Sequence, residues 1–424
     1  MYQVCEIDGV GRFVYDIINR GTPRVCITDI RPAPAVKDLV IPATIEGYPV
    51  TNLLSFAGGG HENDHVVSIT VPEGVESISH SFSDYKALER VSLPHSIKKI
   101  GLYAFGDCVK LRDIPLPEGL EELSYGAFSG CEALGDITLP QSLKKLEIES
   151  YERQVNVFEH AHVKRFTLSA KQLTKFPRVL KRVWADEVVI TGKTDDSDTG
   201  REFLRNSRLK KITLPHGMTE IGEEAFQDCT RLEEIVTPDP LTRLGMCSFE
   251  LCSSLKSIAL PPTIDAIPYR CFYYCTSLAD IDLSHIKEIG SYAFARCESL
   301  TRVVLSEALV SLDDEVFANC TALEEAVLSA SITKLPSLTF EGCTSLKTVT
   351  LPAALETIGY AAFRDCTSLT SLHIPASVTE IEAHAFANCP ALKGVTVDAS
   401  NPVYFAKEGV LYLKETDEKA PVYD

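Results

Sequence analysis

Residues 366–389 read CTSLTSLHIPASVTEIEAHAFANC, and this stretch decides the fold of the chain. Leu372 and Ile374 alternate with polar neighbours, which is the period-two pattern of a half-buried strand. Pro375 lacks a backbone donor and ends that strand. The segment that leads to Phe386 is too short for a stable helix and indicates a single turn. The stretch therefore predicts one coil, made of a strand, a return segment and a turn.

The same coil recurs along the chain with a nearly fixed period. Successive phenylalanines in the C-terminal half are 23, 23, 22, 23, 23, 23 and 23 residues apart, and each precedes a cysteine by three positions. These phenylalanines are Phe226, Phe249, Phe272, Phe294, Phe317, Phe340, Phe363 and Phe386. Phe105 and Phe128 repeat the pattern. A repeat of roughly 20–50 residues is the signature of a solenoid, in which each coil buries its apolar face against its neighbours.

The strand pattern predicts about 16 coils of about 23 residues, with a parallel sheet along one face, over residues 36–413. Residues 141–208 lose the phenylalanine–cysteine motif and are predicted to be degenerate repeats with insertions. Residues 1–35 lack the repeat but contain a hairpin pattern, so they predict an N-terminal β cap that shields the first coil. Residues 414–424 are acidic and are expected to fray as a tail.

Ten of the fourteen cysteines stand at one place in the repeat. A thiol at the same position in every coil predicts a column of small, buried, reduced side chains. Neighbouring coils lie about 4.8 Å apart, so distance alone does not exclude a disulfide between them. Cys271 and Cys275 have the spacing of zinc ligands, but Cys275 belongs to the repeat and no second cysteine or histidine pair accompanies them. We therefore predict no metal site and no cofactor.

Charge and hydropathy exclude several classes of partner. The formal net charge of −18 argues against nucleic acid and anionic membranes, which select basic faces. Residues 141–211 are a local exception, with 16 Lys and Arg against 10 Asp and Glu. The sequence has no apolar run long enough for membrane insertion, and its first residues lack the pattern of a secretory signal, so a cytoplasmic location stays open.

Residues 346–366, LKTVTLPAALETIGYAAFRDC, resemble the BspA-like leucine-rich repeat family of bacterial surface proteins. Residues 41–50 and 401–412 are also similar to that family. The resemblance implies a right-handed leucine-rich-repeat solenoid, rich in β structure with short helical turns. It also implies a cell-surface or secreted bacterial protein that mediates adhesion or host and partner interactions. The family brings no shared catalytic residues.

The function predicted on these grounds is a non-enzymatic protein-binding module, a monomer that binds a protein or a cell-surface ligand. The sequence contains no Gly-rich phosphate loop, nucleophile elbow or metal cluster, so no catalytic residue is predicted. The alternative is a structural spacer or an intracellular scaffold without a dedicated ligand.

Outward strand positions are mostly small and polar, and they offer no aromatic anchor: Arg90, Ser92, Asp113, Asp136, Thr138, Lys211, Thr213, Asp280, Asp282, Arg302, Thr348, Thr350, Ser371 and His373. Because binding hot spots favour Trp, Tyr and Arg, we look elsewhere for a partner site. The irregular middle of the chain supplies the candidates Trp184, Lys181, Arg182, Lys164 and Arg165. Alanine substitutions within 160–205 are expected to weaken partner binding more than equal changes elsewhere, unless these repeats have simply drifted.

Three tyrosines beside one phenylalanine turn are a second set of candidates. Tyr269, Tyr273 and Tyr274 either contact a partner or pack between neighbouring coils, and the sequence leaves both interpretations open.

Overall fold

The computed structural model describes residues 3–19, 21–55, 63–147, 156–177, 179–194, 200, 203–205 and 207–423. The chain forms two compact units, unit 1 (Met1–Gly192) and unit 2 (Lys193–Asp424). Short parallel strands and turns repeat about every 23 residues, for about 15 turns in all, with almost no helix. This architecture is a leucine-rich-repeat β-solenoid and confirms the predicted fold class.

Unit 1 contains β1 (Gln3–Ile7), β2 (Gly11–Ile18), β3 (Arg24–Pro32), β4 (Asp38–Val40), β5 (Thr44–Ile45), β6 (Tyr48–Leu54), β7 (Ser68–Thr70), β8 (Ser77–Ser79), β9 (Arg90–Ser92), β10 (Lys99–Ile100), β11 (Glu122–Leu123), β12 (Leu134–Thr138), β13 (Lys145–Leu146), β14 (His162–Ser169), α1 (Ala170–Lys175), α2 (Val179–Arg182) and β15 (Trp184–Thr191).

Unit 2 contains β16 (Lys211–Thr213), β17 (Glu220–Ile221), β18 (Glu234–Val236), β19 (Arg243–Leu244), β20 (Ala266–Ile267), β21 (Glu288–Ile289), β22 (Arg302–Val304), β23 (Ser311–Leu312), β24 (Glu325–Val327), β25 (Lys334–Leu335), β26 (Thr348–Thr350), β27 (Thr357–Ile358), β28 (Ser371–Ile374), β29 (Glu380–Ile381), β30 (Gly394–Val397), β31 (Tyr404–Lys407) and β32 (Val410–Leu413).

The N-terminal segment is a three-stranded sheet. β1 and β2 form an antiparallel hairpin around the left-handed Gly9, and β3 pairs with β2, also antiparallel. β3 then pairs in parallel with β6, which continues into β8. The edge of the repeat sheet in this unit is therefore paired rather than left open.

Each regular coil contributes two short strands to two parallel ladders. In unit 2, β24 pairs with β22 and β26 in the first ladder, which carries the alternating Leu and Ile positions. β27 pairs with β25 and β29 in the second ladder. The sequence interpretation missed the second ladder because two residues are too few to show a period of two. The first ladder is interrupted near Asp113, where the next outward position is Pro115 and offers no backbone donor.

The repeated phenylalanines stack into one column in each unit. Phe226, Phe249 and Phe272 lie with ring centroids 5.3 Å apart and with interplanar angles of 1° and 2°. The column of unit 2 continues to Phe386, and Phe82, Phe105, Phe128 and Phe158 form a similar column in unit 1. The solvent-exposed fraction of these side chains is 3% or less, so each ring is sealed between two others.

The repeated cysteines are hydrogen-bond donors as well as apolar fillers. Cys275 Sγ lies 3.1 Å from the carbonyl oxygen of Phe249, in the preceding coil. Eight other column thiols make the same contact at 3.0–3.3 Å, and Cys229 makes it to Leu204. All fourteen cysteines are free thiols in the structure. The thiol therefore links one coil to the next. This hydrogen bond explains the recurrence of cysteine at the position better than the small size of the side chain does.

The turn around most of the phenylalanines bends through two left-handed residues, two positions before and two positions after the ring. In the coil of Phe317 these are Glu315 with φ of 60° and Asn319 with φ of 60°. Asp, Asn and Gly tolerate this conformation best, and they occupy the later position in most coils. The turn is therefore encoded locally, and no α-helix is needed there.

The predicted degenerate region contains one coil of a different kind. Phe158 stacks 5.6 Å from Phe128 and so keeps the column across an insertion. Between β14 and β15, the helices α1 and α2 stand where other coils have their second strand and phenylalanine turn. Ser169 caps α1 through a capping box with Gln172. Because this coil lacks the turn, it also lacks the cysteine that the turn carries.

The C-terminal segment is packed, so the expected frayed tail was wrong. Ala420 and Val422 are buried, and Phe386 N donates to Val422 O at 2.8 Å. The ring of Tyr423 lies 5.9 Å from that of Phe386, while its hydroxyl accepts from Leu411 N at 3.1 Å. Apolar residues among the acidic ones thus cover the last ring of the column.

Gly409 is expected to be irreplaceable in the hairpin β31–β32. Its φ is 76°, and a Cβ atom would lie 1.8 Å from the carbonyl oxygen of Lys393. Gly409→Ala should therefore cost more than the ~1–2 kcal/mol of a left-handed backbone alone, measured as thermal stability of the C-terminal coils. Gly47 is a matched control, because it also follows a glutamate in a two-residue hairpin and has open space around its Cβ position. Equal losses for Gly409→Ala and Gly47→Ala would contradict the close contact.

Candidate interaction surfaces

The β14–β15 surface of unit 1 contains three of the five predicted contact residues. β12, β14 and β15 are parallel neighbours, and their register places Asp136, Arg165 and Glu187 in one row. Arg165 Nε donates to Glu187 Oε2 at 2.7 Å, and Arg165 Nη1 lies 3.5 Å from Asp136 Oδ2. The guanidinium of Arg165 is exposed, but its charge is compensated by two carboxylates.

Trp184 begins β15 and is half-buried. Its register partner is His162, and the two rings lie 4.9 Å apart at an angle of 43°. His162 Nε2 lies 3.3 Å from Asp186 Oδ2. The indole is therefore packed against the neighbouring strand, with part of its surface left accessible.

The other predicted residues lie nearby in the chain. Lys164 is exposed on β14, next to Arg165. Lys181 and Arg182 end α2, directly before β15, and their side chains lie outside the described part of the structure. Lys164, Arg165 and Trp184 are thus carried by two neighbouring strands.

Charges on the outward strand face of unit 2 compensate one another between coils. Arg302 pairs with Glu325 at 2.8 Å, and Lys347 pairs with Glu324 at 2.9 Å. Exposed pairs of this kind contribute little to stability. Because each pair holds opposite charges close together, it contributes little to the long-range attraction of a partner.

A tyrosine–arginine cluster on unit 2 is the main aromatic surface feature of the described chain. We call Met246, Tyr269, Arg270, Tyr273 and Tyr292 the tyrosine patch. The guanidinium carbon of Arg270 lies 5.3, 4.7 and 5.2 Å from the ring centroids of Tyr269, Tyr273 and Tyr292. These residues flank the phenylalanine turns of three successive coils. Cation–π contacts at such distances hold the rings around one charge.

The patch is anchored on both sides yet accessible at its centre. Tyr292 Oη donates to Glu315 Oε1 at 2.5 Å, and this hydrogen bond raises the pKa of Tyr292 to about 12. Arg270 Nη1 lies 3.4 Å from Glu250, which also accepts from Gln227 at 2.6 Å. Tyr269 is 39% exposed and Met246 is 49% exposed. The tyrosines therefore pack between coils and also present apolar surface to solvent.

A break in the second ladder lies beside the patch. In regular coils the residue after the second strand donates to the preceding coil, as Gly245 N does to Ile221 O at 2.7 Å and Gly290 N to Ile267 O at 2.8 Å. Pro268 occupies this position after β20 and has no N–H group. β19 and β20 are accordingly not paired. Pro336 marks the same break between β23 and β25.

A surface groove of about 560 Å³ lies across three coils beside the first of these breaks. Its lining includes the carboxylates of Glu220, Glu223 and Asp265, the guanidinium of Arg243, and the apolar side chains of Met246 and Pro268. Met246 belongs to both the groove and the tyrosine patch, so the two features form one continuous surface.

The break at Pro268 has a signal in the sequence. Glycine stands at the position of Pro268 in four other coils of unit 2, at Gly222, Gly245, Gly290 and Gly359. A proline in place of those glycines removes one of the backbone donors of the second ladder. Of the predicted tyrosines, Tyr269 and Tyr273 belong to the patch, and Tyr274 packs edge-on against Tyr273 at 5.7 Å.

The described residues show neither a group of three or more His, Cys, Asp or Glu side chains placed to hold a metal, nor a helix able to cross a membrane. Burial raises the pKa of the Cys320 and Cys271 thiols to about 12. Such thiols stay protonated and are poor nucleophiles.

Residues 61–176, 198–322 and 280–393 match the sequence profile of the BspA type leucine rich repeat region, in six copies. The chain belongs to this family. BspA-type repeats generally act as binding modules without catalytic activity, and the family is typically surface-associated.

Solved structures of bacterial leucine-rich repeat proteins are similar to this chain. One, from Bacteroides ovatus, shares 26% identity over 92% of this chain and 94% of that chain, with a TM-score of 0.50. Another, a leucine rich cell surface protein from Faecalibacterium prausnitzii, shares 21% identity over 94% of this chain and 95% of that one, with a TM-score of 0.33. No curated protein sequence matches the chain.

Proposed function

We propose that the protein is a non-enzymatic protein-binding module that acts at the bacterial cell surface or after secretion, in adhesion or partner recognition. The observation that carries this proposal is the tyrosine patch. It combines exposed Tyr and Met surface with an arginine that is held in place by three rings and a carboxylate. Tyr and Arg dominate binding hot spots, and anchored side chains lose little conformational entropy when a partner binds.

The β14–β15 surface with Trp184, Lys164 and Arg165 is a second proposed contact region. The tyrosine patch is favoured over it because Glu187 and Asp136 already compensate the charge of Arg165. In addition, part of the Trp184 ring packs against His162 and is not available to a partner.

The two regions are separated by selecting peptides from a displayed random library on the purified protein. Met246→Ala with Tyr269→Ala should weaken the selected peptides at least tenfold, because this pair removes the accessible apolar surface of the patch. Lys164→Ala with Arg165→Ala should change their affinity less than twofold. Val310→Ala, at a side chain that is 79% exposed elsewhere in unit 2, is the control for a general surface effect.

Two outcomes would contradict the proposal. If no peptide is enriched over the display scaffold, the protein is better described as a spacer. If the Lys164 and Arg165 variant loses binding while the patch variant does not, the contact region lies on β14–β15, as the sequence predicted.

A further inference from the structure

We propose that Met246 is a modification site, at which a hydroperoxide oxidises the thioether to a sulfoxide and thereby weakens the binding of a partner to the tyrosine patch. This inference rests on the proposed function, because the patch is the surface assigned there to a partner. Three features carry it: the exposure of Met246, the protection of the thiols around it, and its place in the patch.

Met246 is the accessible methionine of the described chain. The sequence has three methionines, of which Met1 lies outside the described residues. Met218 is 2% exposed, whereas Met246 is 49% exposed. A reagent in solution therefore reaches the thioether of Met246 and is kept away from that of Met218.

The cysteines of this turn and of the next coil are far less reactive than the thioether. Cys247 is half-buried, and burial together with a hydrogen bond to Glu250 raises the pKa of its thiol to about 12. Burial also raises the pKa of Cys252 and Cys271, which have no exposed surface. A thiol reacts as its thiolate, whereas a thioether has no proton to lose. At neutral pH a peroxide is therefore expected to oxidise Met246 rather than these cysteines.

The oxidation needs no reactant besides the hydroperoxide. A lone pair of the sulfur attacks one peroxide oxygen, the O–O bond breaks, and an S–O bond forms. The other oxygen leaves as water, or as an alcohol when the hydroperoxide is organic, so the sulfur loses one pair of electrons and the peroxide gains it. The product side chain is polar and chiral, whereas the thioether is apolar.

The sulfoxide lies where the patch offers apolar surface. Cys247 N donates to Tyr269 O at 3.0 Å, so Met246 and Tyr269 stand at equivalent places in two adjoining coils. A partner that covers both side chains has to remove water from the sulfoxide oxygen, and burying a polar group without a hydrogen bond is unfavourable. The interior is untouched, because Phe249 stacks on Phe272 behind the turn.

The first measurement is the rate of oxidation. The purified full chain is treated with hydrogen peroxide at neutral pH, and peptide masses follow the addition of oxygen at Met246 and at Met218. Met246 should be oxidised at least tenfold faster than Met218 in the folded protein, and both should react at the same rate in urea. Equal rates in the folded protein would overturn the inference, whether or not a partner binds.

The second measurement is the affinity of the peptides selected from the displayed library. Oxidised protein should bind them at least fivefold more weakly at an unchanged thermal midpoint, and methionine sulfoxide reductases should restore the affinity. Met246→Leu keeps the apolar surface but has no sulfur to oxidise, so its affinity should stay within twofold of the wild type before and after peroxide.

Two results of the second measurement would overturn the inference. One is unchanged affinity when Met246 is fully oxidised. The other is an equal loss in Met246→Leu, which would assign the effect to another group, such as the half-buried Cys5 of unit 1. A library that yields no binding peptide would contradict the proposed function alone, because the oxidation rates test the modification site without a partner.

Discussion

Raising the pH from 8 to 9.5 is expected to unfold unit 2 while unit 1 remains folded. Burial raises the pKa of seven column thiols in unit 2: to about 12 for Cys320, to about 11 for Cys389, and above the usual value for Cys252, Cys275, Cys297, Cys343 and Cys366. An unfolded thiol has a pKa of about 8.5. Below that pH both states keep the proton and the stability is fully present.

Above that pH the unfolded chain releases protons that the folded chain retains, so the free energy of unfolding falls as the pH rises. Each thiol contributes a loss of about 1.4 kcal/mol at pH 9.5, or about 10 kcal/mol for the seven together. That sum is comparable with the whole stability of a typical domain, about 5–15 kcal/mol. In unit 1 the column thiols are Cys108 and Cys131, and their corresponding loss is about 3 kcal/mol.

The two units can be followed separately. Trp184, the single tryptophan of the chain, reports on unit 1 by fluorescence, and maleimide labelling of the column thiols from Cys252 to Cys389, located by peptide mass, reports on unit 2. A variant with Ser in place of Cys275, Cys297 and Cys320 should release three fewer of the seven protons on unfolding. The slope of its free energy of unfolding against pH should therefore be smaller. An unaltered pH slope in that variant, or simultaneous loss of both units, would show that the thiols are not the cause.

Phe317→Ala is expected to remove about 3–5 kcal/mol from the free energy of unfolding of unit 2. Phe317 has no exposed surface and stacks between Phe294 at 5.6 Å and Phe340 at 5.7 Å. Its removal leaves a cavity that neighbouring coils cannot fill, because their backbones are fixed by the ladders on both sides. Urea unfolding followed by thiol labelling measures the loss in the unit that carries the substitution.

Phe317→Leu and Val310→Ala are the two controls for this measurement. Leucine keeps most of the buried apolar volume, so its cost should be clearly smaller than that of alanine. Val310 is 79% exposed, and its truncation should change stability by less than about 0.5 kcal/mol. A loss below about 1 kcal/mol for Phe317→Ala would refute the picture of a sealed column.

The regular part of the fold follows from the sequence because each coil repeats the same few constraints. Phe, Cys and Leu recur at fixed spacing, and the Leu and Ile alternation marks the first strand of each coil. The second ladder escaped notice because its strands contain only two residues. The packing of the C-terminal segment is not apparent from its acidic composition, because Val422 and Tyr423 cover Phe386, a contact that only the folded structure shows.

The surfaces were harder to predict than the fold. Arg165 and Trp184 were selected from composition, but their partners Glu187, Asp136 and His162 become visible only once strands from different coils are in register. The sequence indicates Tyr269 and Tyr273 as candidates, whereas their arrangement with Tyr292 around Arg270 depends on contacts between coils. Local patterns report which residues face outward, and only the stacking of coils reports what they meet.

The interrupted ladder at Pro268 has a consequence for how such proteins diversify. A single proline in place of a glycine leaves two neighbouring strands unpaired while the phenylalanine column behind them stays intact, since Phe249 and Phe272 still stack at 5.3 Å. Gly290 and Gly359 occupy the same place in other coils of unit 2, so the same change can occur there. The backbone pairing at the surface of a repeat array can thus vary from coil to coil while its interior is unchanged.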